Sequence, residues 1–255
     1  MCKIFDSHAH YDDSAFDGDR YQLLDRLFGD NVCGIINVGC SLKSCESSLA
    51  LAERYDGVYA AVGIHPEDAD KLPDDYLSRI KAFAAHDKAV AIGEIGLDYY
   101  YEGYDRQAQL RVFEEQLNLA GELDLPVIIH SREACADTME LLEKYRPKGV
   151  MHCFSGSAET AESIVKLGMY VGFTGVLTFK NAKKAVAACA AVPKDRLLLE
   201  TDCPYMAPTP YRGERCDSGM IMQTAAKMAE IKGTACDEML KICADNTKRL
   251  FGIAK

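Results

Sequence analysis

No stretch of this chain approaches the ~20 consecutive apolar residues of a membrane-spanning helix, so a helical span is not expected. Basic residues are in the minority. Lys and Arg number 29 against 39 Asp and Glu, for a formal net charge of −10. A protein gripping duplex DNA through many phosphates would carry a basic face, and this balance advertises none. CxxC spacing is also missing: the eleven cysteines are scattered at 2, 33, 40, 45, 135, 153, 189, 203, 216, 236 and 243. That pattern favours neither a zinc ribbon nor a disulfide framework, and mostly reduced thiols are expected. The opening MCKIFDSHAH has no apolar signal-peptide core, so a cytoplasmic location is expected. No GxGxxG follows the first apolar run, which removes support for a nucleotide-binding open sheet.

What is present is one rhythm from end to end. Short apolar runs at 3–5, 34–38, 58–64, 89–95, 126–129, 149–152, 170–173 and 196–200 read as buried strands. Amphipathic stretches of helical period separate them, at 20–28, 42–55, 73–85, 106–123, 133–144, 158–167 and 181–190. Two more follow the last strand, at 219–231 and 236–250. Eight alternations of strand and helix predict an α/β fold, a (β/α)8 TIM barrel forming a single domain over 1–255. Pro73 with two aspartates after it predicts a helix start, and Leu110, Phe113, Leu117 and Ala120 would face the barrel. The longest irregular segments, 99–104 and 203–217, each follow a motif-bearing strand and would sit over the barrel mouth.

Five of six histidines lie one or two residues from the end of an apolar run: His8, His10, His65, His130 and His152. Glu94 and Asp202 share that placement. In such a barrel the active site lies at the C-terminal strand ends, so all seven converge there. His8 and His10, two apart on a strand, point the same way and can grip one ion together. Glu94 sits between apolar neighbours, where an acid is costly unless paired or bound to a cation. Its two oxygens allow it to bridge two ions, with His130 and His152 completing a second ion site. Asp202 suits the first ion and the proton of an activated water. The expected metal ligands are therefore His8, His10, Glu94, His130, His152 and Asp202, with Glu94 and Asp202 the catalytic acids. Asp6 could orient one imidazole or bond to nearby backbone. His65, Arg132, Arg212 and Arg215 are candidate substrate contacts, arginine's planar fork suiting phosphate.

These motifs resemble the TatD family of metal-dependent deoxyribonucleases, among the amidohydrolase-like barrels. The matching stretches are DSHAHYDD at 6–13, GIHP at 63–66, IGEIGLDYY at 92–100, QLNLAGELDLPVIIHSREA at 116–134, HCFSG at 152–156 and ETDCPYMAP at 200–208. The resemblance implies a barrel holding divalent ions by the six residues just named. It implies hydrolysis of phosphodiester bonds in DNA, often from the 3′ end of single strands. One segment departs. Where members of the family continue into a His-Arg-Gly-Lys-Arg-Asn-Glu-Pro-like stretch, this chain reads Tyr211-Arg212-Gly213-Glu214-Arg215-Cys216-Asp217-Ser218. The departure bears on the substrate more than on the metal chemistry.

The expected cofactors are two divalent ions of zinc, magnesium or manganese. The expected partner is single-stranded DNA or another phosphodiester, with no membrane and no obligate protein partner. Two other readings remain open on the sequence. An amidohydrolase, lactonase or esterase, including one acting on D-aminoacyl-tRNA or a small phosphodiester, could use the same ions. Alternatively, a barrel with a vestigial metal site could serve only to bind a partner.

Overall fold

The computed structural model describes residues 4–254, so Lys3, expected to open the first strand, lies outside the described residues. The strands are β1 (Ile4–Ala9), β2 (Val32–Val38), β3 (Val58–Val62), β4 (Ala89–Asp98), β5 (Val127–Arg132), β6 (Gly149–Met151), β7 (Tyr170–Phe173) and β8 (Leu197–Leu199). They form one sheet in sequence order, each parallel to the next. The helices are α1 (Arg20–Gly29), α2 (Leu42–Arg54), α3 (Tyr76–Ala84), α4 (Arg106–Leu123), α5 (Cys135–Tyr145), α6 (Ala158–Lys166), α7 (Lys183–Ala191), α8 (Ile221–Lys232) and α9 (Cys236–Leu250). This is the expected (β/α)8 barrel in a single domain.

Two boundaries depart from the sequence expectation for physical reasons. α3 begins at Tyr76 rather than Pro73, because the Tyr76 amide closes a tight turn onto the Pro73 carbonyl (3.1 Å) before the helix starts. β4 runs on to Asp98, and its residues Gly96, Leu97 and Asp98 pair with His130, Ser131 and Arg132 of β5. That extension needs Gly96. Its φ is +147°, and a Cβ there would lie 2.0 Å from the His130 carbonyl oxygen.

Successive side chains of a strand face opposite sides of the sheet. Ile35, Val127, Ile129, Leu197 and Leu199 belong to the large apolar cluster shared with the helices. Their neighbours Ile36, Ile128, Val150 and Leu198 form a second cluster that fills the lumen, together with Phe251 and Ile253 from the C-terminal end. Two residues further on, the same inward row carries His130 after Ile128, His152 after Val150 and Glu200 after Leu198. The lumen is thus apolar below and polar at the C-terminal rim.

Between β8 and β1 the seam is closed by the chain just past β8. The Asp202 amide donates to the His8 carbonyl (2.9 Å), and the His10 amide to the Cys203 carbonyl (2.8 Å). Asp6 reinforces the seam. Its carboxylate accepts from the Thr201 amide (3.0 Å), the Thr201 hydroxyl (2.6 Å) and the Ser218 hydroxyl (2.7 Å). Asp6 therefore clamps backbone and hydroxyls and orients no imidazole, which corrects the first of its two sequence readings. Burial, partly offset by these bonds, raises its pKa to about 6.

Two buried glutamines on α4 fix the strand ends that carry the site. Gln116 accepts from the Ile64 amide (2.8 Å) and donates to the Ile64 carbonyl (3.1 Å). Gln109 does the same for Asp98, at 2.9 and 2.8 Å. Leaving a buried backbone donor or acceptor unpaired costs about 1–3 kcal/mol. Gln116→Leu strands one of each, so urea unfolding should show a loss of about 2–4 kcal/mol. A loss under about 0.5 kcal/mol, the range of ordinary surface changes, would show that Gln116 does not hold the β3 end.

Candidate metal centre

Glu94 lies in the lumen wall with a side chain only 4% exposed. Its two oxygens face different histidine pairs. Oε2 lies 3.4 Å from His8 Nε2 and 3.7 Å from His10 Nε2. Oε1 lies 2.8 Å from His152 Nε2 and 2.9 Å from His130 Nδ1. Asp202 Oδ1 joins the first group, 3.6 Å from His8 Nε2 and 3.3 Å from His10 Nε2. All six expected ligand residues therefore meet at the rim, from β1, β4, β5 and the segments after β1, β6 and β8.

Each pair is tightly convergent. The Nε2 atoms of His8 and His10 are 3.0 Å apart, and His130 Nδ1 is 3.3 Å from His152 Nε2. His8 and His152 stack across the lumen with ring centroids 4.0 Å apart. The Nδ1 atoms of both are buried without a hydrogen-bond partner among the described residues. Neutral imidazole nitrogens and carboxylate oxygens aimed at common points fit divalent ions such as zinc or manganese. His10 and His130 are oriented from behind. His10 Nδ1 lies 2.9 Å from the Val38 carbonyl, and His130 Nε2 lies 3.0 Å from Asp98 Oδ2.

The electrostatics follow from burial and crowding. Burial opposes ionisation of Glu94, but His152, His8 and His130 hold its carboxyl well below the usual range. Burial and the neighbouring His152 lower the pKa of His8 to about 4. Burial works against His130 as well, yet its bonds to Asp98 and Glu94 raise it to about 10. Asp202 is held low by His10, His152 and His8 against the opposing effect of burial.

Several contributors were not singled out from sequence. Asp98 orients His130, and it stands four residues from Glu94 on β4, a same-face spacing that could have exposed it. Glu200 stands beneath the histidines. Ligand-type atoms of Glu200, His8 and His152 lie within 4.8 Å of one another. Gly172 makes room for it, since a Cβ there would meet the Glu200 carboxylate at 2.3 Å. Burial raises Glu200 to about 7. The Cys40 thiol lies 3.7 Å from Glu94 Oε2 and 3.8 Å from His10 Nδ1.

The candidate substrate contacts separate. His65 belongs to the centre itself: its Nε2 is 3.8 Å from Glu94 Oε1, and it could join Glu94 and His130 around an ion. Arg132 lies at the mouth, its guanidinium 3.5 Å from the centroid of the Tyr100 ring. Arg212 covers Phe179 at 4.2 Å. Arg215 is engaged by Asp19 through two bonds of 2.6 and 2.8 Å and lies over Phe16. No helix among the described residues is long and apolar enough to cross a membrane.

Comparison with known proteins agrees with this geometry. A family model described as TatD related DNase matches residues 5–252. The chain is 40% identical over 253 residues to YabD of Bacillus subtilis, an uncharacterized metal-dependent hydrolase, covering 98% of this chain and 99% of YabD. It is 38% identical over 209 residues to the 3′-5′ ssDNA/RNA exonuclease TatD of Cronobacter sakazakii, covering 80% of each. The crystal structure of YjjV, a TatD homolog from Escherichia coli, superposes with a TM-score of 0.93 at 34% identity, covering 99% of both chains. A family model matched along nearly the whole chain, relatives of similar length and a common barrel place this protein in the TatD family of metal-dependent hydrolases.

Proposed function

We propose that this protein is a two-metal phosphodiesterase that degrades single-stranded nucleic acid from its 3′ end, as a cytoplasmic enzyme. The observation that carries the reading is the Glu94 carboxylate, whose two oxygens face two separate histidine pairs. His8, His10 and Asp202 would hold one ion, His130 and His152 the other, and Glu94 would be shared. Bound zinc, magnesium or manganese would supply Lewis acidity, making water a nucleophile near neutral pH and offsetting charge on the phosphate oxygens. The chain's own residues do the rest. Glu94 and the imidazoles set the geometry within a water-poor rim. Asp202 is the more accessible acid, its side chain 13% exposed against 4% for Glu94, so it is placed to take a proton from water at the mouth. His65 and Arg132, and Arg212 from the loop after β8, would contact the substrate, whereas Arg215 is already bound by Asp19.

The relative named as a 3′-5′ ssDNA/RNA exonuclease supports the nucleic-acid reading. The acidic balance, with Glu214 where the family usually carries a basic residue, favours the other reading, in which the same ions cleave an amide or ester. A nuclease assay on 3′-labelled single strands with added metals, run beside amide and ester substrates, separates them. Wild type is expected to release the 3′ label as a mononucleotide and Glu94→Ala to leave the strand intact. Amide or ester turnover with intact strands would overturn the nuclease reading.

Elemental analysis should find about two divalent ions per chain, with activity abolished by chelator. No bound metal and chelator-resistant activity would sink the metal reading. Asp202→Asn should lower kcat far more than it raises KM, whereas equal loss in both would assign Asp202 to binding. Asp98→Asn weakens the grip on His130 and should cost about 10- to 100-fold in metal affinity, read by competition with a chelating dye. Unchanged affinity would show that Asp98 does not orient a ligand.

A further inference from the structure

Among the described residues six large apolar side chains are left exposed, and all but Tyr21 of α1 stand on two loops. Tyr100, Tyr101 and Tyr104 stand on the loop after β4, and Tyr205 and Met206 on the loop after β8. Both loops flank the metal centre. Single exposed apolar residues need no explanation, but a cluster beside a site does. The β4 loop also walls a cleft of about 310 Å³, bounded by Pro66, Glu67, Asp98, Tyr101, Tyr104 and Gln109. This volume lies at the low end for small-molecule pockets, about 300–1,000 Å³. Asp98 is common to the cleft and the centre, since it lines the one and bonds His130 in the other.

We propose that this cleft binds one nucleobase of the substrate strand, next to the scissile phosphate, by stacking it on Tyr101 and Tyr104. The inference rests on the single-strand reading above and deepens it.

Two features support it. The rings are held in place before substrate arrives. Tyr104 stacks on Tyr99 at 4.7 Å and 11°, and the Tyr99 hydroxyl is tied to Asp137 at 2.6 Å. Tyr101 meets Tyr100 edge-on at 5.1 Å, and its hydroxyl accepts from Arg132 at 3.4 Å. Yet Tyr101 and Tyr104 remain 51% and 41% exposed, so ring surface is left for a ligand. The second feature is charge. The ionisable groups lining the cleft are five carboxylates and one lysine. Such a lining repels phosphate and accepts hydrogen bonds from the amino groups of bases. The flat, uncharged part of a nucleotide therefore fits here, with its phosphate left to the centre. Every base has a π-face, so stacking requires no particular sequence.

The test uses short single-stranded DNA carrying an abasic unit at each position near the 3′ end in turn. With wild type, one position should cost about 5- to 150-fold in kcat/KM, the range that base–aromatic stacking supplies. The Tyr101→Ala/Tyr104→Ala protein should lose a similar factor on the intact strand and nothing further from that abasic unit. Tyr101→Phe/Tyr104→Phe keeps both rings while losing the Arg132 bond to Tyr101, so it should recover most of the rate lost in the alanine protein and the sensitivity to the abasic unit, which separates stacking from damage to the loop. As an independent readout, 2-aminopurine at that position should be quenched on binding to Asp202→Asn protein and not when both tyrosines are also alanine. Degradation of every abasic strand at the parent rate would overturn the base cleft and leave the nuclease reading standing. Failure of metal-loaded protein to degrade any strand would overturn both.

Discussion

A carboxylate sealed in the wall of a barrel is the constraint on which the rest of this structure turns. Glu94 is buried among apolar strands, and an uncompensated charge there costs several kcal/mol. Compensation comes from four imidazoles and not from a single partner, two on each oxygen. That division suits the proposed two-ion site. A single Lys or Arg would satisfy the acid more simply, but it would fill the space proposed for the cations. Histidine can cancel the charge when protonated, as at His130, or offer a neutral nitrogen directly, as at His8, and metal displaces any proton that is present.

The barrel delivers these groups by two different routes. His130, His152 and Glu200 arrive by strand alternation, each two residues beyond an apolar lumen residue. The first pair arrives by closure. The chain past β8 hydrogen-bonds to β1 at His8 and His10, so the contact that seals the cylinder also sets Asp202 beside both imidazoles. Asp202 has φ +60°, in the left-handed region that Asp tolerates better than most residues. Fold closure and the placing of Asp202 therefore coincide at this seam, whereas His130 and His152 come from neighbouring parallel strands, with Gln109 of α4 holding the Asp98 that orients His130.

This contrast explains what could be read from the sequence. The alternating apolar runs carried the eight strands, and acids or histidines at their ends carried all six candidate ligands, because strand direction alone places them at one rim. Residues acting through distant partners stayed hidden. Gln109 and Gln116 look like exposed polar positions on an amphipathic helix, and only folding shows them holding the backbone of Asp98 and Ile64. Asp6 had two readings; bonding to nearby backbone holds at the His8 amide (3.3 Å), but its other partners, Thr201 and Ser218, lie 195 and 212 residues away. Arginines were least legible. Charge and loop position mark Arg132, Arg212 and Arg215 alike, but neighbours separate them: each lies over an aromatic ring, and Arg215 is in addition paired with Asp19.

The acidic character of the chain then becomes compatible with an anionic substrate. Non-specific grip on nucleic acid scales with the number of phosphates neutralised by side chains and weakens steeply with salt. A site whose positive charge is supplied by divalent ions needs few such contacts and neutralises charge only where the bond breaks. Acidic surroundings would repel the remaining phosphates, which disfavours a duplex laid along the surface and favours a strand end inserted into the mouth. Aromatic rings beside the rim offer attraction that is independent of charge. They would be useless to a stacked duplex, whose bases are already occupied with one another, and available to an unpaired strand. On the proposed reading, a preference for single strands would follow from this separation of labour, with ions acting on the phosphate and tyrosines on the base.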